Sequence, residues 1–150
     1  MKKIITVLLT FLFLTNCGYT PIYSAKNFDF RLDEIILANN DKLNSKIAKR
    51  LRVFSNQEGK KIILLRVDAK KKINTLSKNS KGDPSRYEMI INIQLEAEND
   101  QKQKNTHLFQ ERFNYNANTN KFELKQYEKE IEDLLINKNI DRIIIYLSKV

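Results

Sequence analysis

Few residues in this chain can do chemistry. Cys17 is its one thiol and stands shortly after an uncharged apolar run, residues 4–14, while His107 is its one imidazole. One Cys excludes an internal disulfide framework and a Cys-rich zinc site, and one His leaves no metal triad and no ordinary His-based relay. His107 follows Thr106 at a turn or strand start and reads as an exposed, ordinary side chain. The acidic stretches 96–100 and 128–133 contain neighbouring carboxylates. In the second, Glu128, Glu130, Glu132 and Asp133 alternate with Lys129 around a helix whose polar side faces water, which is the pattern of a solvated face. A Gly-rich phosphate loop, a nucleophile elbow and a metal-spaced cluster are all missing from the sequence. The expectation is therefore that the protein is no enzyme and needs no cofactor. Two features remain. One is the sulfur of Cys17, a nucleophile that can be alkylated by a lipid group. The other is a concentration of cations: between residues 60 and 86 there are nine Lys and Arg against Asp68 and Asp83, a local net charge of +7.

Both features depend on what surrounds them. The 150 residues carry 27 Lys and Arg against 18 Asp and Glu, a net charge of +9. With 41% hydrophobic and 30% charged residues and only 3 Gly and 2 Pro, the chain has enough apolar material for one packed domain and too little Gly and Pro for a low-complexity tail. Met1-Lys2-Lys3, the apolar run 4–14 and then Thr15-Asn16-Cys17 form the layout of an export signal. As a helix that run spans roughly 16 Å, about half of a hydrocarbon core of ~30 Å, so a transmembrane anchor is the weaker reading. Leu14-Thr15-Asn16-Cys17 resembles the lipobox of bacterial lipoproteins, with Asn16 at the −1 position where Gly, Ala or Ser is usual. The resemblance implies cleavage after residue 16 and transfer of a diacylglyceryl group to the Cys17 thiol. Two or more acyl chains hold a domain durably on a bilayer. Gly18, beside the lipidated residue, matches the default outer-membrane destination of that pattern.

The expected organisation is a signal peptide over residues 1–16, a lipidated tether over 17–27 and a single domain over 28–150. Phe28, Phe30 and Leu32 alternate with Asp29, Arg31 and Asp33, which predicts a strand. Residues 39–41 offer a helix cap, and Leu43, Ile47, Leu51 and Phe54 recur at helical spacing, predicting a helix over 41–54. Ile63, Leu65, Val67, Ala69 and Ile73 share one parity, and Arg66, Asp68, Lys70 and Lys72 the other, so a strand buries the first set and exposes the second. Turn material over 78–85 joins it to a second alternating strand from Tyr87 to Ala97. After a polar turn over 99–105, Phe109, Phe113 and Tyr115 mark a last strand whose apolar face Glu111 interrupts, as suits a sheet edge. Residues 122–150 form a long amphipathic helix, with the weak helix formers Asn137-Lys138-Asn139 marking a kink or a register change. The order is β-α-β-β-β-α, an α+β fold with two helices packed on one face of a four-stranded sheet.

On that scaffold Arg66, Lys70 and Lys72 project from the open face of the sheet, Lys81 lies in the turn, and Arg86 begins the next strand. These five are the candidate anion-binding residues, with the two arginines the better bidentate phosphate ligands. Charge alone leaves two readings equal: an anion-binding surface, or a solvated face whose lysines discourage edge pairing. A pI near 9.6 commonly indicates nucleic acid. An exported, membrane-tethered domain does not meet it, and its compartment offers anionic lipid or lipopolysaccharide phosphate instead.

Cys17-Gly18-Tyr19-Thr20-Pro21-Ile22-Tyr23 resembles the mature N-terminus of the LptE family of lipopolysaccharide-assembly lipoproteins, which reads Cys-Gly-aromatic-x-Pro-aliphatic-Tyr in many members. The β-α-β-β-β-α order and the Ile-rich C-terminal helix agree with that family. The resemblance implies an outer-membrane lipoprotein, lipid-anchored on the periplasmic side, that plugs the lumen of the LptD-type β-barrel and binds lipopolysaccharide through basic residues. An alternative is a periplasmic lipoprotein adaptor of another envelope transport or barrel-assembly complex. The two differ in whether one large barrel is the partner.

Overall fold

The computed structural model describes residues 28–56 and 58–149. Cys17, the signal peptide 1–16 and the tether 17–27 lie outside the described residues. The elements are β1 (Phe30–Leu37), α1 (Lys42–Leu51) with a 3-10 turn (Arg52–Asn56), β2 (Lys61–Lys78), β3 (Pro84–Asn99), β4 (Lys104–Asn116) and α2 (Lys121–Leu147). The strands form one four-stranded sheet in the order β1-β2-β3-β4. β1 runs parallel to β2, reached through α1, whereas β2–β3 and β3–β4 are antiparallel hairpins. Two helices lie against one face of this sheet, the arrangement that the alternation predicts.

Period-two alternation decides which face is covered. Ile63, Leu65, Val67 and Ala69 of β2 and Met89, Ile91, Ile93, Leu95 and Ala97 of β3 are buried, and with Ile47, Leu51, Ile131, Leu135, Ile143 and Leu147 of the helices they form one core. The even positions of the same strands form the open face. α1 starts where Asp41 accepts a hydrogen bond from the backbone N–H of Asn44 at 2.8 Å, and α2 starts where the Asn120 side chain accepts from Phe122 and Glu123.

Four local expectations need revision. The first helix ends at Leu51, and Phe54 sits in the 3-10 turn, where its ring lies 5.7 Å from Phe28 and 6.2 Å from Phe30. The aromatic cluster, not helical periodicity, places Phe54. α2 does not break at residues 137–139 but continues through them as one helix. Asn139 is wholly buried and donates to the Ile91 carbonyl at 3.3 Å, so docking onto β3 overrides its poor helix propensity. The acidic face of α2 is not simply solvated. Glu132 pairs with Lys46 at 3.1 Å and with Lys71 at 2.7 Å, and Asp133 pairs with Lys46 at 3.0 Å and with Arg50, which ties α1, β2 and α2 together. Finally, Ile73 has the parity of the buried face but is 41% exposed, because β1 ends opposite Val67 and leaves this part of β2 at the edge of the sheet, while its cross-strand neighbour Met89 stays fully buried.

Glu111 is explained by its partner: β4 is the sheet edge, and Arg142 of α2 reaches over to the Glu111 carboxylate at 2.8 Å. His107 is exposed on β4, stacked on Tyr146 with ring centroids 5.0 Å apart. Tyr115 anchors the other end of α2 by donating to Glu128 at 2.7 Å. Burial first, and the Glu128 carboxylate second, hold its phenol well above the usual tyrosine range. Among the described residues no helix is long and apolar enough to cross a membrane.

Candidate functional site

The site is the basic hairpin formed by β2 and β3. Its core-bearing half is the stretch of β2 up to Ala69, whose odd positions lie under the helices. From residue 70 to 76 every β2 side chain is exposed or half-buried. The projecting half is held by its own ladder to β3, which continues to the pair Lys78–Pro84, and by a compact turn. In that turn the Asn79 side chain accepts from the backbone N–H groups of Lys81 and Asp83, each at 2.9 Å. Gly82 takes φ +87°, a conformation that glycine adopts without strain. Ser77 and Ser85 join their hydroxyls across the strands at 2.8 Å.

The five candidate anion-binding residues fall into two groups. Arg66 and Lys70 do project from the open face with Lys72, as the alternation predicts, but both are neutralised there. The Arg66 guanidinium lies 3.5 Å from the Glu96 carboxylate, and Lys70 lies 3.2 Å from Asp68. The same face holds Lys104 between Glu96 at 3.2 Å and Glu98 at 3.5 Å, and Arg112 at 3.8 Å from Glu88. A shallow depression beside Arg66, lined by Ile36, Asp68, Gln94 and Glu96 among others, is therefore of mixed charge. Lys72, Lys81 and Arg86 form the second group. None of them has an ion-pair partner among the described residues, and Lys78 shares that condition. The uncompensated charge is thus concentrated in the projecting half.

Other residues stand at the same end. Arg86 is in register with Asn116, the last residue of β4, and the Ala117 N–H donates to the Ser85 carbonyl at 2.9 Å, so the chain enters α2 beside the hairpin. The first turns of α2 contribute Lys121 and Lys125, both exposed. Three apolar side chains are exposed on this part of the chain as well: Ile73 at 41%, Leu76 at 47% and Phe122 at 76%. Sequence reading missed Lys78 as a site residue, although it belongs to the same charge cluster. It also missed the apolar set, because exposure of Ile73 depends on where β1 ends, which no local pattern records. The lysines next to these apolar groups make the projecting half amphipathic, with positive charges able to meet phosphates and apolar groups able to meet hydrocarbon.

The ion pairs behind this surface fix the hairpin to the helices. Burial pushes the Glu132 pKa up, but hydrogen bonds and charges from Lys71 and Lys46 outweigh it and hold the carboxyl below the ordinary glutamate value. Asp133 behaves in the same way, burial being outweighed by Lys46 and Arg50.

No family model and no curated protein matches the sequence. Solved structures do match in shape. Rare lipoprotein B from Shewanella oneidensis superposes with a TM-score of 0.56 at 19% identity, covering 77% of this chain and 94% of that one. A minor lipoprotein from Acinetobacter baumannii gives 0.58 at 16% identity, with 81% and 92% covered, and lipoprotein B from Nitrosomonas europaea gives 0.60 at 10% identity, with 86% and 91% covered. At these identities the likeness is one of fold, and it spans nearly the whole of each of those chains: the protein has the fold of small bacterial lipoproteins.

Proposed function

We propose that the chain is an outer-membrane lipoprotein that sits in the lumen of an LptD-type β-barrel and binds lipopolysaccharide during its assembly into the outer leaflet. The observation that carries this reading is the group of unpaired cations, Lys72, Lys78, Lys81 and Arg86, on a hairpin whose first strand runs on past β1 beside exposed apolar side chains. Lipopolysaccharide offers the complementary chemistry, with phosphates next to acyl chains. The open sheet face, where ion pairs alternate with the Asn92–Gln110 amide contact at 2.7 Å, is suited to a polar barrel lumen. The lipobox-like segment at Cys17 supplies the tether, and the shared lipoprotein fold agrees with it. No covalent chemistry on the ligand belongs to this role.

Affinity capture of the tagged, lipidated protein from detergent-solubilised outer membranes, followed by mass spectrometry, tests the reading. One large β-barrel recovered at near-equal stoichiometry is the expected result. Recovery of an inner-membrane transporter, or of no barrel, would replace it with the adaptor role. Cys17→Ala should abolish membrane partition while leaving the far-ultraviolet circular dichroism of the domain unchanged, since residue 17 precedes the first described element by more than ten residues.

A further inference from the structure

The backbone of β2 beyond Ala69 has an unpaired edge. Ala38 N–H donates to the Val67 carbonyl at 3.0 Å, and the Asn44 side chain accepts from Ala69 N–H at 2.8 Å while donating to the Ala69 carbonyl at 3.3 Å. The odd residues of β2 therefore turn their backbone groups toward the β1 side. β1 ends at Leu37, opposite Val67, and Asn44 closes the next position in place of a strand. Lys71, Ile73 and Thr75 follow with the same orientation. Among the described residues nothing bonds to their edge groups. The irregularity between Thr75 and Ser77 ends the stretch. The outer edges of the sheet are less open. Pairing of β1 is irregular between Leu32 and Ile35, where Asp33 and Glu34 are exposed, and Arg142 donates to the Gln110 carbonyl on the edge of β4 at 3.2 Å.

We propose that residues 71–75 of β2 form a strand-addition site for an extended, acid-bearing segment of another protein. Main-chain pairing supplies affinity in such sites and the alternate side chains supply specificity. On the open face an added strand passes Lys70 and the unpaired Lys72, which favour acidic side chains. On the opposite face it passes Ile73, 41% exposed, which favours apolar ones. An alternating acidic and apolar segment satisfies both. A second copy of this chain does not, because its own residues 70–76 hold three lysines and no acidic side chain, so pairing the two edges gathers cations with nothing to offset them. The inference stands on this edge and does not depend on the identity of the barrel.

The test uses the mature protein and a blocked peptide of alternating valine and glutamate, followed by amide hydrogen exchange and affinity. In the free protein the amides of Lys71, Ile73 and Thr75 should exchange readily, and the peptide should protect them. Ile73→Pro removes one outward N–H that the fold does not use, and proline is tolerated at such edges, so binding should weaken about tenfold, the worth of one hydrogen bond. Lys72→Glu leaves the backbone intact and should weaken binding by a similar factor, as should lysine in place of glutamate in the peptide. The proposal is overturned by edge amides already protected in the free monomer, by protection appearing elsewhere, or by a peptide that binds both variants as tightly as the unaltered protein. Failure of the peptide to bind, or a dimer that Ile73→Pro dissociates, overturns it as well.

Discussion

Replacing Asn44 isolates the contact that terminates the paired part of β2. Asn44 is wholly buried and Ala69 is 3% exposed. The Asn44 oxygen accepts from Ala69 N–H at 2.8 Å, and its nitrogen donates to Ala69 O at 3.3 Å and to both Asp41 carboxylate oxygens at 3.1 Å. Asn44→Ala leaves Ala69 N–H buried without a partner, at a cost of about 1–3 kcal/mol, and loss of the bonds to Asp41 adds about 1 kcal/mol. The helix cap itself survives, because Asp41 also accepts from the backbone N–H of residue 44. The sum, about 2–4 kcal/mol, corresponds to a fall of about 1–2 M in the urea midpoint for a domain of this size. Asn44→Asp keeps the acceptor but sets an oxygen where the donor faced Asp41. Burial and the Asp41 charge raise the introduced carboxyl's pKa in the folded state above its unfolded value near ~3.9, so the native state binds the extra proton. The destabilisation then grows as the pH rises above ~4 and shrinks as it falls, when the protonated oxygen donates again. Urea titrations followed by circular dichroism at pH 4 and pH 7 measure both effects. An Asn44→Ala midpoint within about 0.3 M of the unaltered protein, or an Asn44→Asp deficit independent of pH, would refute the reasoning.

The remaining expectations concern other parts of the molecule. Glu132→Gln should cost about 1–2 kcal/mol at neutral pH, since it unpairs Lys71 and leaves Lys46 with Asp133 alone at a partly buried site. Because the Glu132 pKa is lowered on folding from the ordinary 4.5, its contribution is present above that value and is lost as the pH falls below it, so thermal melts of the two proteins should converge in acid. Gly59→Ala should destabilise by about 2–4 kcal/mol, because the added methyl falls 2.7 Å from Arg31 N and closer still to the Phe30 carbonyl, and β1 must move to admit it. A melting temperature within about 2 °C of the parent would contradict this. Joint substitution of Lys72, Lys78 and Arg86 by Glu should weaken lipopolysaccharide binding about 100-fold or more at low salt, at about 1 kcal/mol for each cation near an anionic surface. Arg66→Glu, read in the same vesicle or lipopolysaccharide titration, should have a much smaller effect, because Arg66 already faces Glu96.

The order of elements and the covered face were readable in the sequence because they rest on parity alone. Ile63 to Ala69 and Met89 to Ala97 alternate cleanly, and each side chain went where its neighbours two residues away went. Length was less readable. The alternation of β2 continues through Ile73 although β1 stops earlier, so local pattern placed Ile73 in the core. The long C-terminal helix was readable too, but its unbroken passage through residues 137–139 was not, for the converse reason. Asn139 is a poor helix former by itself, and only its contact with Ile91, distant in sequence, shows why the helix passes through it. Within the site, the cluster of cations was visible as composition, but which cations stay free was not. Glu96 neutralises Arg66 only because the β2–β3 register sets those two residues opposite each other. Register is a property of two strands together.

That register also separates the work of fold and surface along one strand. Up to Ala69, β2 is held on three sides, by β3, by β1 with Asn44, and by the helices, and each charge on its open face has an opposite one beside it, Glu96 for Arg66 and Lys70 for Asp68. Beyond Ala69 it keeps β3 and loses the other two supports, apart from the Lys71–Glu132 tie. The apolar, basic and backbone groups that become available there are of three different kinds, yet they share one cause, which is that β2 runs on past the end of β1 and becomes the edge of the sheet, while Met89 opposite Ile73 stays fully buried. Substitutions in this half should therefore change binding with little change in stability, whereas those below Ala69 should do the reverse. Measuring both quantities for Lys72→Glu and Leu65→Ala separates the two halves directly. For Leu65→Ala, in the fully buried core, the stability loss should be about 2–5 kcal/mol. For Lys72→Glu, on an exposed position, it should stay within about 0.5 kcal/mol. Comparable stability losses at the two positions would mean that the projecting half is packed against something in the folded protein after all, and that the cations there are structural.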